Sequence, residues 1–306
     1  MTPPIIAVQG LRKSFGPHGE IEAVAGLGFE IAEGEIFGIL GPNGAGKTTT
    51  MEILEALQEA DSGEIRYRGG PRPPDWKERI GVQMQATSLF EQLTVTETLE
   101  LFAGLYARHR PIPEILERIA LVEKKDQRVQ TLSGGQKQRL VLGLAIIHDP
   151  EILFLDEPTT GLDPQARHNI WEMIRHLKAT GKTLMLTTHM MEEAQRLCDR
   201  VAIIDHGRLL ALDTPHALVA ALQGQSRISF AAPAGVDPNV WRAFGDAIQP
   251  TDARGLTIIY TEDAGTTLRS VLDFAEQRGI AIEHLAIDRP GLEDVFLHFT
   301  GRRLRD

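Results

Sequence analysis

The sequence predicts an α/β protein in two parts, a large domain over residues 1–220 and a smaller α/β domain over 221–306. Short apolar runs such as EIFGIL (35–40) and ILFLD (152–156) have the length and composition of buried strands. Segments with helical periodicity follow these runs. Near ALQGQS (221–226) this pattern stops, and a shorter series of strands and helices begins.

In the large domain, alternating residues predict strands in 5–16 and 23–41, and helical spacing begins after GKTTT. Residues 88–148 are expected to form a mostly helical subdomain. Thr94 followed three residues later by Glu97 is a capping-box pattern, which predicts the start of a helix. Further strands and helices follow, and VAIIDHGRLLALD (201–213) reads as two strands that turn at a glycine.

The sequence of the small domain predicts three strands that alternate with three helices. In chain order these are strand 226–231, helix 239–248, strand 255–261, helix 265–278, strand 280–287 and helix 291–299.

Charge and composition narrow the range of partners. The net charge of −10 disfavours nonspecific binding to nucleic acid, which requires a basic face. The single cysteine, Cys198, excludes an internal disulfide and is expected to be a small buried residue near a helix end. No apolar run approaches the roughly 20 residues that span a bilayer, and MTPPIIAVQG does not match a secretory signal. We therefore expect no direct insertion into a membrane.

A glycine-rich loop carries the strongest chemical signal. GPNGAGKTT (41–49) follows a predicted strand and precedes a predicted helix, the context of a phosphate-binding loop. Its glycines let backbone N–H groups converge on phosphates, Lys47 can reach the β- and γ-phosphates, and the Thr48 hydroxyl can bind Mg²⁺. The predicted nucleotide contacts are Gly41, Pro42, Asn43, Gly44, Ala45, Gly46, Lys47, Thr48 and Thr49.

An acidic pair ends the apolar run ILFLDEP (152–158). Asp156 is placed to hold Mg²⁺, directly or through water. Glu157 can accept a proton from the attacking water. The alternative is an acidic pair that only initiates a turn before Pro158.

The order of motifs resembles the nucleotide-binding subunits of ABC transporters. After the loop at 41–48 come LSGGQ (132–136), FLDEP (154–158), GLDP (161–164) and TTH (187–189). The resemblance covers about the first 220 residues, and LSGGQ excludes a P-loop kinase or GTPase. It implies an ABC-type nucleotide-binding fold with a helical subdomain, ATP and Mg²⁺ as cofactors, and a homodimer that forms on ATP binding. It also implies a membrane-spanning permease as partner and a cytoplasmic location on the inner face of the membrane.

The resemblance also assigns further residues. Gln85 in GVQMQ is similar to the glutamine that contacts Mg²⁺ and the attacking water, with Gln83 as the competing candidate. Asp163 resembles the aspartate that crosses the dimer interface. His189 resembles the histidine that senses the γ-phosphate; the alternative is a surface histidine that caps a helix. Phe15 occupies the place of an aromatic residue that stacks on adenine, unless it is a core residue of the first strand.

The LSGGQ segment predicts a second anion site. Ser133 is expected to be a helix N-cap, with Gly134 and Gly135 leaving the backbone open and Gln136 starting the helix. The resemblance places this segment against the γ-phosphate held by Lys47 of a second copy. Each ATP would then lie between two chains.

The closing stretch RPGLEDVFLHFTGRRLRD (289–306) resembles the end of daunorubicin-resistance-type ATP-binding subunits. The alternative is an amphipathic helix with Leu292, Val295, Phe296 and Phe299 on one face.

Three functions are compatible with the motifs. The first is an ATPase subunit that powers export through a separate membrane partner. The second is a soluble ABC-type ATPase acting in translation or on DNA, against which the single phosphate loop and the acidic charge argue. The third is a sensor that binds ATP without hydrolysis, against which Glu157 argues. The first is the prediction.

Overall fold

The computed structural model describes residues 3–17, 19–85, 87–222, 226–231, 236–244, 247–249, 256–288 and 291–300. The chain divides into two compact units after Pro215. Within the described ranges no helix is long and apolar enough to cross a bilayer.

The first unit combines two sheets with helices. Its strands are β1 (Ile6–Phe15), β2 (Ile21–Ile31), β3 (Ile36–Leu40), β4 (Ser62–Tyr67), β5 (Ile80–Gln83), β6 (Ile152–Asp156), β7 (Thr183–Thr188), β8 (Arg200–Asp205) and β9 (Arg208–Asp213). Its helices are α1 (Lys47–Leu54), α2 (Trp76–Arg79), α3 (Val95–Ala103), α4 (Ile112–Arg118), α5 (Gly134–Ile146), α6 (Pro164–Ala179) and α7 (Met191–Leu197). Helix α8 (Pro215–Ala220) follows at the division.

The larger sheet has the strand order β5-β6-β7-β3-β8-β9. Strands β5, β6, β7, β3 and β8 are parallel, and β9 pairs antiparallel with β8. Strands β3, β6 and β7 are buried along their whole length, which explains their continuous apolar sequences. The smaller antiparallel sheet, β2-β1-β4, shares a hydrophobic core with this sheet.

The helical subdomain begins at the predicted capping box. The Glu97 backbone N–H donates to Thr94 Oγ1 (3.1 Å), and the Thr94 N–H donates to Glu97 Oε2 (2.8 Å). This prediction is confirmed. Helices α4 and α5 pack closely where Gly143 of α5 faces the buried Ile119.

The second unit has a sheet with the order β11-β12-β10-β13. Its elements are β10 (Ser226–Ala231), a 3₁₀ helix (Pro238–Phe244), β11 (Ala247–Gln249), β12 (Leu256–Thr261), α9 (Ala264–Gln277), β13 (Glu283–Asp288) and α10 (Leu292–Thr300). The fully buried Trp241 packs edge-on against Phe230 and Phe274 in its core.

One predicted element of this unit is wrong. Residues 239–248 do not form a single helix, because the 3₁₀ helix ends at Phe244 and β11 starts at Ala247. Pairing of Ala247 with Tyr260 on the edge of β12 gives this backbone a strand conformation. A nonlocal contact therefore overrides the local helical pattern. The other predicted strands and helices are present, with ends shifted by up to three residues.

Cys198 lies at the carboxyl end of α7 and is 8% exposed, as predicted. Its Sγ would be 2.5 Å from a Cβ added at Gly38, so this thiol packs directly on the backbone of β3. Burial raises the pKa of the thiol well above its usual value.

The same substitution at two glycines should have opposite effects on stability. A Cβ at Gly143 would lie 2.9 Å from Ile119 Cδ1, so Gly143→Ala should lower the free energy of unfolding by about 1–3 kcal/mol. Gly104 has helical backbone angles and its Cβ would make only ordinary contacts at 3.5 Å. Gly104→Ala should therefore stabilise by about 0.5–1 kcal/mol. Urea unfolding checks both, and equal effects at the two positions would contradict the packing.

Candidate active site

Four neighbouring parallel strands end at one edge of the large sheet, and each is followed by predicted site residues. The phosphate loop follows β3, His189 follows β7, Glu157 follows β6, and Gln85 follows β5. Because these strands are consecutive neighbours in the sheet, their carboxyl ends place the side chains together. Residues far apart in the chain thus form a single cleft.

The phosphate loop requires glycine at two positions for steric reasons. A Cβ at Gly46, where φ is +97°, would lie 2.1 Å from the Ala23 carbonyl oxygen. A Cβ at Gly41 would lie 2.5 Å from the Ile204 carbonyl oxygen. The loop therefore packs directly on the backbones of β2 and β8.

Lys47 lies under this loop and is buried. Its ammonium donates to the carbonyl oxygens of Gly41 (2.9 Å) and Pro42 (3.2 Å). Its Nζ is also 3.4 Å from Glu157 Oε1, and the two side chains are only 4% and 5% exposed. Burial lowers the pKa of Lys47, and the negative charge of Glu157 opposes that shift.

Glu157 contacts three other predicted site residues, namely Lys47, His189 and Gln85. One of its carboxylate oxygens, Oε2, lies 3.2 Å from His189 Nδ1 and accepts hydrogen bonds from Gln85 Nε2 (3.3 Å) and Thr160 Oγ1 (3.0 Å). Burial alone would raise the pKa of this carboxyl group. The nearby His189 ring and the charge of Lys47 outweigh burial, so the pKa is lowered and the charged form is favoured.

The backbone of Glu157 is also unusual. Its φ of +47° is in the left-handed region that residues with a side chain rarely adopt. Its N–H points at Thr187, with distances of 3.1 Å to Oγ1 and 3.2 Å to the carbonyl oxygen. Such a conformation costs about 1–3 kcal/mol and is typical of functional sites.

Asp156 lies beside the start of α1. Its Oδ2 accepts from Thr48 Oγ1 (3.0 Å), and its Oδ1 accepts from the Thr187 hydroxyl. A cleft of about 240 Å³ is lined by Thr48, Met51, Glu52, Glu55, Met84, Gln85 and Asp156. The hydroxyl, carboxylate and amide oxygens gathered here are the ligand types that Mg²⁺ prefers, so this set fits the expected metal.

The structure separates the two candidate glutamines. Gln85 contacts Glu157, whereas Gln83 is 1% exposed on β5, and among the described residues neither polar atom of its side chain has a hydrogen-bond partner. Gly81, which shares a face of β5 with Gln83, packs against the Ala145 carbonyl. Gln83 thus faces α5, and of the two glutamines only Gln85 reaches the cleft.

Phe15 ends β1 and is half-buried, with the Lys13 ammonium 5.7 Å from its ring centre. It pairs with Ile21 at the start of β2. Two residues further on, Ala23 contacts the phosphate loop at Gly46, so this end of the hairpin lies beside the loop.

The LSGGQ segment stands apart from these residues. Ser133 is the N-cap of α5, exchanging hydrogen bonds with Gln136 through a capping box. The helix begins at Gly134, so the prediction that Gln136 starts it is wrong; the capping box places Gln136 at the third helical position. Gly135 is needed for packing, because its Cβ would lie 2.7 Å from Ala166 Cβ.

Asp163 caps α6 by accepting from the Ala166 N–H (2.9 Å), and it is exposed like Ser133. Across the part of the chain that the structure describes, no hydrogen bond or ion pair joins residues 133–136 to the loop at 41–49. The structure therefore brings together the residues after β3, β5, β6 and β7. It leaves Ser133 and Asp163 on the surface.

Comparisons with known proteins agree with this geometry. The family model described as ABC transporter matches residues 24–160. Over 99% of its length the chain is 42% identical to the "Nod factor export ATP-binding protein I" of Ralstonia nicotianae, covering 96% of that protein. A protein of the same name from Rhizobium sp. is also 42% identical, with 99% of each chain covered.

The chain belongs to the ABC transporter family. It is an ATP-binding subunit, and proteins of this kind are ATPases.

Two solved structures show the same fold for this ABC ATPase. The cbiO1 protein of Clostridium perfringens, part of the ABC transporter complex cbiONQ, has a TM-score of 0.65 at 27% identity. That match covers 72% of this chain and 92% of the other. An ATP-binding subunit of an ABC transporter has a TM-score of 0.62 at 28% identity, with 72% and 93% covered.

Three polar residues of the ABC ATPase site were not predicted. Thr160 donates a hydrogen bond to the Glu157 carboxylate, and Thr187 donates one to the Asp156 carboxylate. Thr160 lies directly beside, and Thr187 within, motifs used in the sequence analysis, GLDP (161–164) and TTH (187–189), and these positions could have indicated their roles. Glu55, at the end of α1, is 4% exposed and lines the cleft. Burial, followed by the charges of Asp156 and Glu52, raises its pKa to about 7.

Glu55 should make the stability of the nucleotide-free chain depend on pH. Because its folded pKa of about 7 exceeds the unfolded value near 4.5, the folded chain holds an extra proton between these values. Stability should therefore fall as pH rises from about 4.5 to 7. Glu55→Gln cannot ionise, so at pH 8 it should exceed the wild type by up to about 3 kcal/mol, with little difference at pH 4.5.

Urea unfolding at both pH values, without Mg²⁺, measures this difference. The exposed Glu59 lies on the same segment, and Glu59→Gln is the matched control that should follow the wild type. A stability gain in Glu55→Gln that is the same at both pH values would contradict the assignment.

Proposed function

We propose that this ABC ATPase powers export through a separate membrane-spanning permease, and that two copies join around ATP. One observation carries the proposal. Lys47, Glu157 and His189 meet at a buried point of the cleft, while Ser133, in the signature segment, is exposed and contacts none of them. A site built in two separated halves is complete only when a second chain supplies the missing half.

ATP binding starts at the phosphate loop and at the amino end of α1. The N-cap of this helix is Gly46, which offers no side chain to the N–H groups of the first turn. Those N–H groups and the helix dipole favour phosphate oxygens. Lys47 would exchange its carbonyl partners and Glu157 for the phosphates. Phe15, beside the loop, would stack on the adenine.

Thr48, Asp156 and Gln85 would hold Mg²⁺ at the side of the phosphates. When bound, the metal neutralises phosphate charge and supports the transfer to water. Asp156 is oriented for this role by the Thr187 hydroxyl, and Thr48 already lies within 3.0 Å of it.

Glu157 is the proposed general base. Its lowered pKa keeps it ionised at neutral pH, so it can accept a proton from an attacking water. Hydrogen bonds from Gln85 and Thr160 fix one carboxylate oxygen. His189 lies 3.2 Å from the same oxygen and would sense the γ-phosphate.

The second chain would contribute Ser133, Gly134, Gly135 and Gln136 to the γ-phosphate, and Asp163 to the interface. Helix α5 is 13 residues long, and Ser133 and Gly134 at its amino end are exposed. This supports an anion site that faces outward.

Export is supported by the names of the relatives, which match this chain over nearly its full length, including the second unit. The daunorubicin-type resemblance of the closing stretch remains a prediction within this proposal. The permease would hold the ATPase at the cytoplasmic face of the membrane.

A groove of about 530 Å³ is the proposed docking site of the permease. It lies between the segment after β5 and the helical subdomain, and it is lined by Met84, Gln85, Thr87, Ser88, Leu89, Glu91, Val129, Lys137, Gln138 and Val141. Met84, which lines the groove, is 48% exposed, and Phe90, which follows the lining residue Leu89, is 57% exposed, so both large apolar side chains are open to a partner. Because Gln85 belongs to both the groove and the catalytic cleft, a permease helix here could influence hydrolysis.

Glu157→Gln should trap an ATP-bound dimer. The substitution keeps the shape of the site and removes the base, so ATP binds and is not consumed. Light scattering with ATP and Mg²⁺ should give twice the monomer mass. Adding Lys47→Ala to this variant should abolish both nucleotide binding and the dimer. A monomer at saturating ATP would contradict the proposed pairing.

Phe90→Asp should weaken binding to the permease without changing the ATPase activity of the isolated chain. Phe90 lies between Leu89 and Glu91, which both line the docking groove, so the new charge would lie at the groove but outside the catalytic contacts described above. Co-purification from native membranes measures the effect. Leu57→Asp, at a similarly exposed position (53%), is the control. If the wild type captures no membrane-spanning protein, a soluble ABC-type ATPase becomes the better description.

A further inference from the structure

Glu193 is a buried acidic residue outside the cleft. It lies on α7, four residues after His189, and it is 1% exposed. Its Oε1 accepts two hydrogen bonds, from Thr159 Oγ1 (2.6 Å) and from Trp171 Nε1 (2.9 Å). A carboxyl group this far from water is retained only when its partners satisfy it.

The two donors belong to the segments that build the active site. Thr159 is two residues after Glu157, and it precedes Thr160, whose hydroxyl contacts the Glu157 carboxylate. Trp171 is a fully buried residue of α6, the helix that Asp163 caps. Glu193 itself lies on α7, the helix that follows β7. Its Oε1 atom therefore ties both the turn after β6 and helix α6 to α7.

We propose that Glu193 is a positioning residue for ATP hydrolysis. By holding the Thr159 hydroxyl, it fixes the turn at 157–163 relative to the start of α7. This keeps the Glu157 carboxylate at its 3.2 Å distance from His189. The proposal rests on the roles of Glu157 and His189 proposed above, and it assigns Glu193 no contact with the nucleotide.

A positioning role should lower the catalytic rate and spare ATP binding. In the full-length chain, Glu193→Ala should reduce kcat by about 10- to 100-fold, because small displacements of catalytic groups have effects of this size. KM and the affinity for a fluorescent ATP analogue should change by less than about threefold. Glu193→Gln keeps an oxygen that can accept both hydrogen bonds, so it should retain most of the wild-type kcat.

Thr159→Val tests the same contact from the other side, with a nearly isosteric side chain. It should reduce kcat in the same direction as Glu193→Ala. The double variant should be no slower than Glu193→Ala alone, since both remove one interaction.

Trp171→Phe is the matched control for a purely structural role. It removes the other hydrogen bond to the same Oε1 and leaves the bond to Thr159. This variant should melt at a lower temperature and keep its kcat. The proposal is overturned if Thr159→Val keeps the wild-type kcat, if Glu193→Gln is as slow as Glu193→Ala, or if Trp171→Phe lowers kcat as much as Thr159→Val does.

Glu157→Gln and His189→Ala in the same assay separate this proposal from the one on which it rests. If those two variants keep their kcat, the catalytic roles proposed above fail. If they lose it while Thr159→Val keeps its own, only the positioning role of Glu193 fails.

Discussion

The buried contact between Lys47 and Glu157 is the interaction on which the site depends. Both side chains are almost completely withdrawn from water, and each carries the charge that compensates the other. Removing one partner of such a pair leaves an uncompensated charge, which typically costs about 3–5 kcal/mol. A nucleotide brings its own negative charge to Lys47. Phosphate binding would therefore release Glu157 from Lys47 as ATP arrives. Glu157 would then be free to act as a base only when the phosphate loop holds a nucleotide.

The order of the strands determines which groups share this point. Strand β7 lies between β3 and β6, so His189 follows a strand that neighbours both the strand before the phosphate loop and the strand before Glu157. Strand β5 lies on the other side of β6, and the segment after it supplies Gln85. The left-handed backbone of Glu157 then turns its side chain into the cleft, at a cost that the hydrogen bond to Thr187 helps to offset. Sheet topology and one strained residue thus bring distant sequence positions together.

Local patterns in the sequence predicted most of the fold, the phosphate loop and the acidic pair at 156–157, whereas Gln85 and His189 were assigned by the resemblance to ABC transporters. The capping box at Thr94 and the N-cap at Ser133 depend on neighbouring residues only, and both are present. Helix 239–248 was predicted wrongly, because pairing with β12 decides the conformation of its second half. The contact of Thr159 with Glu193 joins residues far apart in the chain, and no periodicity encodes it. The separation of Gln85 from Gln83 likewise depends on where β5 ends, because Gln83 is the last, buried residue of the strand and Gln85 lies in the segment that follows it.

Cross-linking between two differently tagged chains tests most directly whether each ATP site is shared. One chain carries Asn43→Cys in the exposed part of the phosphate loop, and the other carries Ser133→Cys; the native Cys198 is buried. With a non-hydrolysable ATP analogue and a short cross-linker, the two chains should form a covalent heterodimer. Neither chain alone, nor the mixture without nucleotide, should do so. Absence of the heterodimer at saturating nucleotide would contradict the shared site.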